Sequence, residues 1–581
     1  MPATDLFRDI ANQTEETEFF TPVPGGYQPG RAKYVVVFGT VMSGLGKGIF
    51  ASSLAKLLQD QGLRVAPIKL EGYLNIDSGT LNPYRHGEVF VLDDGMETDM
   101  DLGTYERILD QDLTRDNFAT NGQIFWAVLE RERRGEYLGR DVQILPHVTG
   151  EVKRKLRDLA VKTRADVVFV EIGGTVGDFE NACYIEATRE LAYEEGPENV
   201  CFVALTFILE PSILGEQKSK AAQLGIKRLL EMGIQPHLIA CRAANPVTDK
   251  VREKLSIYTS VPMSRVVSMH DEPSIYLLPT RLQRDQVDRQ VVHILNLNDR
   301  VDPRAEQKAT QTWEGFCRRI RDPQHAVTLA VTGKYTAVRD SYASLLKAIE
   351  HAGAGLETRC DVRWVDTTGL SEDGAAAALE GADGVIVPGG FGVRGAEGKI
   401  ACVRYARENV VPYLGLCFGF QMAVVEFARN VCGLAGADST EIAETTPHPV
   451  IDLLPEQYEV EGLGGTMRLG GKDVEVAPGT LASKMFGGAA TVRLRFRHRY
   501  EVNPDYIDRL TGAGLVFSGK APGQPIMQIL ELPGHPYFVA TQSHPEFTSR
   551  PLRPSPFYTG LVAAALGRNA VGPVEARQSR R

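Results

Sequence analysis

Pro412-Tyr413-Leu414-Gly415-Leu416-Cys417-Phe418-Gly419-Phe420-Gln421 is a short apolar run that ends at a thiol and opens directly into a helical pattern, Met422 to Asn430. The run reads as a buried strand, so the thiol is expected on a sharp strand-to-helix turn, flanked by Gly415 and Gly419. A helix N-terminus favours thiolate over thiol, and the thiolate is the nucleophile. Further along, a second apolar run, Tyr537 to Thr541, ends in Gln542-Ser543-His544-Pro545-Glu546-Phe547, which supplies a base and a carboxylate. Taken singly, Cys417 and His544 read as a core cysteine and a strand-end histidine, because free cysteine is among the most buried residue types. Two features weigh against that. Gly384-Val385-Ile386-Val387-Pro388-Gly389-Gly390-Phe391-Gly392 is a strand followed by a glycine-rich turn whose N–H groups can face a developing oxyanion, and Glu441 and Arg499 offer opposite charges to the two ends of an amino acid.

Together, PGGFG, GLCFG and QSHPEF resemble a class I, triad-type glutamine amidotransferase domain. The resemblance implies that Cys417 attacks the glutamine amide, with His544 as base and acid and Glu546 orienting it. It also implies that Gly390 helps form the oxyanion hole and that Leu416, Gln421, Glu441 and Arg499 help hold glutamine.

The chain has 581 residues, enough for several domains with substantial cores, and an ordinary globular composition of 43% hydrophobic and 24% charged residues. A net charge of −10 provides no global basic field for nucleic acid or an anionic membrane, so phosphate binding has to come from local sites. The eight cysteines, at 183, 201, 241, 317, 360, 402, 417 and 432, lack CxxC spacing, which fits a reducing compartment without structural zinc. No long apolar stretch and no secretory layout is visible, so the expectation is cytoplasmic, with no membrane and no nucleic-acid partner.

Outward from Cys417 the chain divides into two α/β halves. In the first, strand-like runs at Tyr34 to Phe38, Arg64 to Lys69, Asp166 to Ile172, Val200 to Phe207, His237 to Cys241 and Arg265 to Ser268 alternate with helical segments such as Lys47 to Gln61 and Gln217 to Met232. This alternation predicts a mainly parallel sheet covered by helices. A second strand set runs through Ala326 to Thr332, Val362 to Asp366, Gly384 to Val387 and Pro412 to Cys417, followed by a β-rich stretch. The expected plan is an extension over 1–32, a P-loop-type domain with a mainly parallel sheet over 33–297, a linker over 298–325, a class I glutamine amidotransferase α/β domain over 326–568, and a tail over 569–581.

The first half carries its own chemistry. Tyr34 to Gly39 is a strand, and Thr40-Val41-Met42-Ser43-Gly44-Leu45-Gly46-Lys47-Gly48 is a glycine-bearing turn into a helix, which sets N–H groups and a lysine around phosphate. It is not a Walker A motif, since Gly48 stands where a metal-binding hydroxyl is expected. Asp101 and Glu171 are the carboxylates suited to Mg²⁺, a hard ion that takes oxygen ligands. Lys218 and Lys220, with Gln223 and the later Lys254, form a candidate second anion site, although paired lysines on a helix are most often a solvated face.

SxLGKG, HGEVFVxDDGxETDxDLGxYER, the Glu132-Arg133-Arg134-Gly135-Glu136-Tyr137-Leu138-Gly139 segment, VEIGGTVGDxE and GGTMRLG, with the glutaminase motifs, resemble the CTP synthase family over nearly all of 33–568. The resemblance implies that 33–297 is an amidoligase domain that phosphorylates the uracil O4 of UTP with ATP, after which ammonia displaces the phosphate to give CTP. By position, Ser43, Gly44, Leu45, Gly46, Lys47 and Gly48 contact ATP phosphates, Arg242 and Asp271 lie around adenine, and Asp101 and Glu171 hold Mg²⁺, Asp101 also touching ATP. Ser43, Asp178, Phe179, Glu180, Ser219, Ala221 and Ala222 contact the pyrimidine nucleotide, Asp178 and Glu180 helping to read its base or sugar, and Lys218, Lys220, Gln223 and Lys254 bind its phosphates. Gly464 to Gly470 matches a lid that responds to GTP, an allosteric activator in the family, and closes the ammonia path. A homotetramer, with filament assembly compatible with activity, is likewise implied.

The departures from the family pattern cluster near the acceptor. Glu71-Gly72 replaces aspartate and proline, Lys218-Ser219-Lys220-Ala221-Ala222-Gln223 replaces KTKPTQ, and the phosphate turn is altered. Two alternatives therefore stay open: a paralogue aminating another oxo-nucleotide or nucleoside by the same mechanism, and a non-catalytic P-loop regulatory or filament protein.

Overall fold

The computed structural model describes residues 22–213, 215–334, 339–453 and 467–567. The chain forms two compact units, and neither is contiguous in sequence. The first takes the described residues up to Ile76 together with Asp116–Glu306, and the second takes Asp77–Arg115 together with the residues from Gln307 onward.

The first unit is built on a seven-stranded sheet in the order Phe118–Thr120, Val65–Glu71, Val167–Ile172, Lys33–Gly39, Val200–Phe207, Leu238–Ala243, Val266–His270. Every neighbouring pair is parallel. Strands covered on both faces read as unbroken apolar runs, and Val35 to Phe38 are accordingly fully buried. The order reverses beside the Lys33–Gly39 strand: the chain leaving it crosses to one side, while the chain leaving Val167–Ile172 crosses to the other. A ligand crevice is expected at the carboxyl ends of strands at such a switch point.

The second unit centres on a nine-stranded mixed sheet. Thr358–Asp366, His325–Gly333, Gly384–Val387, Tyr413–Leu416 and Phe538–Thr541 are parallel neighbours, and Met527–Glu531, Val516–Lys520, Arg468–Val476 and Thr491–His498 continue the sheet antiparallel. Cores lie on both sides of it, one including Phe418, Met422 and Phe427 of the Phe418–Asn430 helix and the other Leu345, Ile349, Phe557 and Leu561.

The expected linker is mostly a helix, Pro303–Arg321, that buries Trp313, Phe316 and Cys317 while leaving its charged residues on the other face. A short strand, Phe118–Thr120, was not expected and pairs with Lys69–Glu71. Residues 1–21, Gly464 to Thr466 of the lid motif and the tail from 568 lie outside the described residues.

Candidate active site

Cys417 joins the Tyr413–Leu416 strand to the Phe418–Asn430 helix with φ 48° and ψ −101°, a conformation that L-residues rarely adopt. Strain of this kind persists only where the surroundings over-determine it. Here Cys417 N donates to Thr541 O at 2.8 Å, and a Cβ on Gly419 would fall 1.9 Å from Val387 O, so the helix starts hard against the neighbouring strand. The thiol is held 3.6 Å from both Gln542 Nε2 and Arg497 O.

His544 follows Phe538–Thr541, the strand beside the nucleophile's own, in a register that sets Leu416 against Thr541. Its Nδ1 lies 2.7 Å from Glu546 Oε1, its ring stacks on Phe547 with centroids 5.0 Å apart, and its backbone N–H donates to Arg495 O at 2.8 Å. Burial would lower the His544 pKa, but Cys417 and Glu546 outweigh it and raise the pKa to about 10. A protonated imidazole beside the sulfur is the arrangement that activates a thiol nucleophile. Gly389 leaves the room for it, since a Cβ there would lie 3.0 Å from His544 Cε1 and 3.6 Å from Cys417 Cβ.

Around this centre, Glu441 Oε1 accepts from Gly392 N at 2.7 Å, and burial raises the Glu441 pKa against the opposing effects of that N–H, Lys334 and Arg499. Gln421 is buried, its Nε2 donating to Tyr500 O at 3.0 Å, and its Oε1 receives no hydrogen bond among the described residues. An acceptor left bare in a buried site is what a bound ammonium or amide would satisfy. Arg499 links the Thr491–His498 and Tyr500–Val502 strands at the same place.

Behind the catalytic strands lies the segment Asp77–Arg115. Glu106, fully buried on the Met100–Leu109 helix, accepts from Arg495 Nη1 at 2.7 Å and from Arg550 Nη2 at 2.8 Å. Glu97 accepts from Arg497 Nε at 2.7 Å, and Asp93 pairs with Arg493 at 2.8 Å. The carbonyls of Arg495 and Arg497 touch His544 and Cys417, so these ion pairs hold the strand on which the triad rests. Asp101 opens the same helix, in the turn capped by Asp99.

In the first unit, Lys47 begins the Lys47–Asp60 helix after a turn in which Val41, Gly44 and Gly46 all have positive φ. Its Nζ donates to Gly174 O at 2.9 Å, and Val176 N donates to Gly39 O at 2.8 Å, which ties the two loops of the switch point together. Glu171 ends the neighbouring strand, fully buried, and accepts from Lys69 Nζ at 2.7 Å. Thr175 N donates to Asp178 Oδ2 at 2.7 Å, while Phe179 and Glu180 are exposed. Arg242, near the end of the Leu238–Ala243 strand, pairs at 2.5 Å with Asp271, which follows the Val266–His270 strand.

A separate cavity of about 760 Å³ is lined by Lys218, Lys220, Lys250, Lys254 and Gln223, with Ser219 beside them. Lys218 forms an ion pair with Glu216 and lowers its pKa, with Lys250 and Lys254 acting in the same sense. The volume suits a nucleotide-sized ligand and the lining suits an anion.

A family model described as CTP synthase N-terminus matches residues 33–297, and one described as glutamine amidotransferase class-I matches residues 337–564. The chain is 49% identical over 541 residues to the CTP synthase of Thermococcus gammatolerans, spanning 93% of this chain and 100% of that protein. The chain belongs to the CTP synthase family. It is also 49% identical to the CTP synthase of Pyrococcus abyssi over 92% of this chain and 98% of that one. Among solved structures, the glutaminase domain of Trypanosoma brucei CTPS with bound acivicin is 37% identical, spanning 43% of this chain and 98% of that one with a TM-score of 0.41.

Two departures from the CTP synthase pattern acquire a place. Ala222 is fully buried in the first unit's core, whereas Lys218, Lys220, Gln223 and Lys254 line the lysine cavity. Gly72 packs against the turn that carries Asp178 and Glu180: a Cβ there would lie 2.9 Å from Glu180 Cβ, and Asn121 Nδ2 bridges Gly72 O at 2.8 Å and Glu180 O at 2.6 Å. Within this CTP synthase fold, three residues packed around the site escaped the sequence reading. Gln542 was visible beside His544 but carried no chemical signal of its own. Glu106 needed partners hundreds of residues away, and Lys399 reads in sequence as an ordinary solvated helix residue.

Proposed function

We propose that this chain converts UTP to CTP with ATP and the amide nitrogen of glutamine. The carrying observation is the strained Cys417 beside the His544–Glu546 pair, in a CTP synthase chain that also keeps the phosphate turn ending at Lys47. Cys417 attacks the glutamine carbonyl, His544 passes a proton to the departing ammonia, and Glu546 holds the imidazole in the orientation both steps need. Gln421, Glu441 and Arg499 hold the amino acid end. Lys47 and the turn from Ser43 to Gly48 position the ATP phosphates, and Lys218, Lys220 and Lys254 neutralise those of UTP. Phosphorylation of O4 turns a poor leaving group into a good one, and neutral ammonia, whose lone pair is free, displaces it.

Asp101 and Glu171 would hold Mg²⁺. The buried Glu171 carboxylate beside the phosphate turn, oriented by Lys69, fits a hard ion that prefers oxygen ligands. When bound, the ion neutralises charge on the transferring phosphoryl group. GTP acts as an allosteric activator through the segment 464–470, of which Arg468 onward forms the strand Arg468–Val476. Homotetramer assembly, with filaments as a further state, is supported by the exposure of Trp126 and Leu129 on one helix and of Leu138 nearby. Among the described residues no helix is long and apolar enough to cross a membrane, and a cytoplasmic setting is part of this proposal.

The test is a panel of purified protein, ATP, Mg²⁺ and ammonia with UTP and other oxo-nucleotides, read by product mass. CTP from UTP as the dominant product supports the proposal. Amination of another base in preference to uracil overturns it in favour of a paralogue, and no amination at all favours a non-catalytic role.

A further inference from the structure

We propose that Lys399 is a positioning residue for glutamine hydrolysis, holding the Pro388-Gly389-Gly390 turn so that its peptide N–H groups face the oxyanion formed at Cys417. The inference rests on the glutaminase reading of the site. Lys399 sits on the Ala396–Glu408 helix and is only 3% exposed. Its Nζ donates to Pro388 O at 2.7 Å and to Gly389 O at 3.4 Å. In a trans peptide the C=O and the following N–H point in opposite directions, so drawing both carbonyls to one ammonium turns the N–H groups of Gly389 and Gly390 to the other side. That side borders the reacting centre, because Gly389 lies directly against Cys417 and His544. Neither N–H finds an acceptor among the described residues.

A buried ammonium is costly unless its charge is compensated, and the hydrogen bonds of Lys399 go to carbonyl oxygens rather than to a carboxylate. Its charge lies instead over the Phe418 ring, 5.1 Å from the centroid. Phe418 follows the nucleophile, the position whose N–H customarily supplies the other half of an oxyanion hole. One side chain thus touches both elements of the hole. Burial, together with Lys334, pulls the Lys399 pKa down to about 7, with Cys417 and Cys402 acting the other way. An apolar side chain would fill the same space at lower cost, so the retained amine points to its two carbonyl contacts. During attack the C–S bond forms, the carbonyl π pair moves to oxygen, and the two N–H groups receive that charge without having to reorient.

Lys399→Met keeps the stem and removes the donor. Glutaminase kcat and KM, inhibition by glutamate γ-semialdehyde, and ammonia-dependent CTP synthesis are measured on one preparation of the full chain. The aldehyde traps the thiolate as a tetrahedral adduct, so it reports on the oxyanion hole rather than on ground-state binding. A misplaced donor gives a fall in kcat of about ten-fold or more, with the aldehyde weakened by a similar factor. The glutamine KM and ammonia-dependent synthesis are expected to stay within about two-fold, the split that marks a transition-state interaction. Lys399→Gln, which retains one N–H donor on a shorter stem, is expected to fall between the two. An unchanged kcat overturns the proposal. So does a fall in kcat matched by equal loss of ammonia-dependent synthesis, which would mark a structural role. Wild-type protein that hydrolyses no glutamine would instead refute the reading of the site itself, independently of Lys399.

Discussion

Glu106 is the residue whose neutralisation should do the most damage for the smallest change in shape. Its carboxylate is fully buried between Arg495 and Arg550, each with a side chain 1% exposed, and it also accepts from Leu113 N at 2.8 Å. Asp112 touches both guanidinium groups at 3.0 Å but is itself 65% exposed. Asp110, also exposed, lies 3.8 Å from Arg550 and pairs with Arg553, so the charges balance three against three and Glu106 is the one buried carboxylate of these three. Glu106→Gln keeps the volume but leaves a buried guanidinium uncompensated and points an amide N–H at it. Removing one partner from a buried ion pair costs about 3–5 kcal/mol. With a urea slope of about 1–3 kcal/mol per molar, the unfolding midpoint should fall by roughly 1 M or more. Because Arg495 O receives the His544 N–H, glutaminase activity should be lost along with, or ahead of, the fluorescence change that reports unfolding. Replacing the whole cluster, as Glu106→Met with Arg495→Met and Arg550→Leu, should recover most of the lost stability, since well-packed apolar groups carry no desolvation cost. A midpoint shift below about 0.3 M for Glu106→Gln would refute the reasoning, for it would mean the arginines find compensation elsewhere.

Glu546→Gln is expected to reduce glutaminase kcat by about 100-fold or more, with ammonia-dependent CTP synthesis retained, measured by ammonia release and by CTP absorbance. The raised His544 pKa sets a pH dependence: the stability from its protonated form is complete below about 6.5 and disappears as pH rises toward about 10. Urea midpoints across that range should therefore show the advantage of wild type over Cys417→Ala shrinking as pH increases. Gly419→Ala, which would drive a Cβ to 1.9 Å from Val387 O, should abolish soluble expression or glutaminase activity. Lys254→Ala should raise the UTP KM several-fold while leaving glutaminase kcat unchanged, because the lysine lines the first unit's cavity.

Local chemistry was the most legible part of the sequence. The Val200–Phe207 and Gly384–Val387 strands fall where their apolar runs end, and the Cys417 elbow follows from an apolar strand running into a helical pattern between two glycines. What the sequence hid was long-range. Nothing in the run from Asp77 to Arg115 indicates that it packs with the C-terminal unit, because the decisive partners of Glu97 and Glu106 are arginines that read individually as surface charges. The Pro303–Arg321 helix was obscured for the opposite reason: few buried residues among many charges look like a linker. Residue type also hid the places of Lys399 and Ala222, the first buried despite its charge and the second in the core although it stands in a segment expected to bind the pyrimidine nucleotide.

The most direct test of the whole account follows the nitrogen atom. With ATP, Mg²⁺, UTP and glutamine labelled with heavy nitrogen at the amide, the wild-type chain should yield CTP one mass unit heavier than unlabelled CTP. Cys417→Ala should yield none from glutamine yet make the heavy product when labelled ammonium is supplied instead. Heavy CTP from glutamine in the Cys417→Ala variant, or no CTP from ammonium in either protein, would contradict the account.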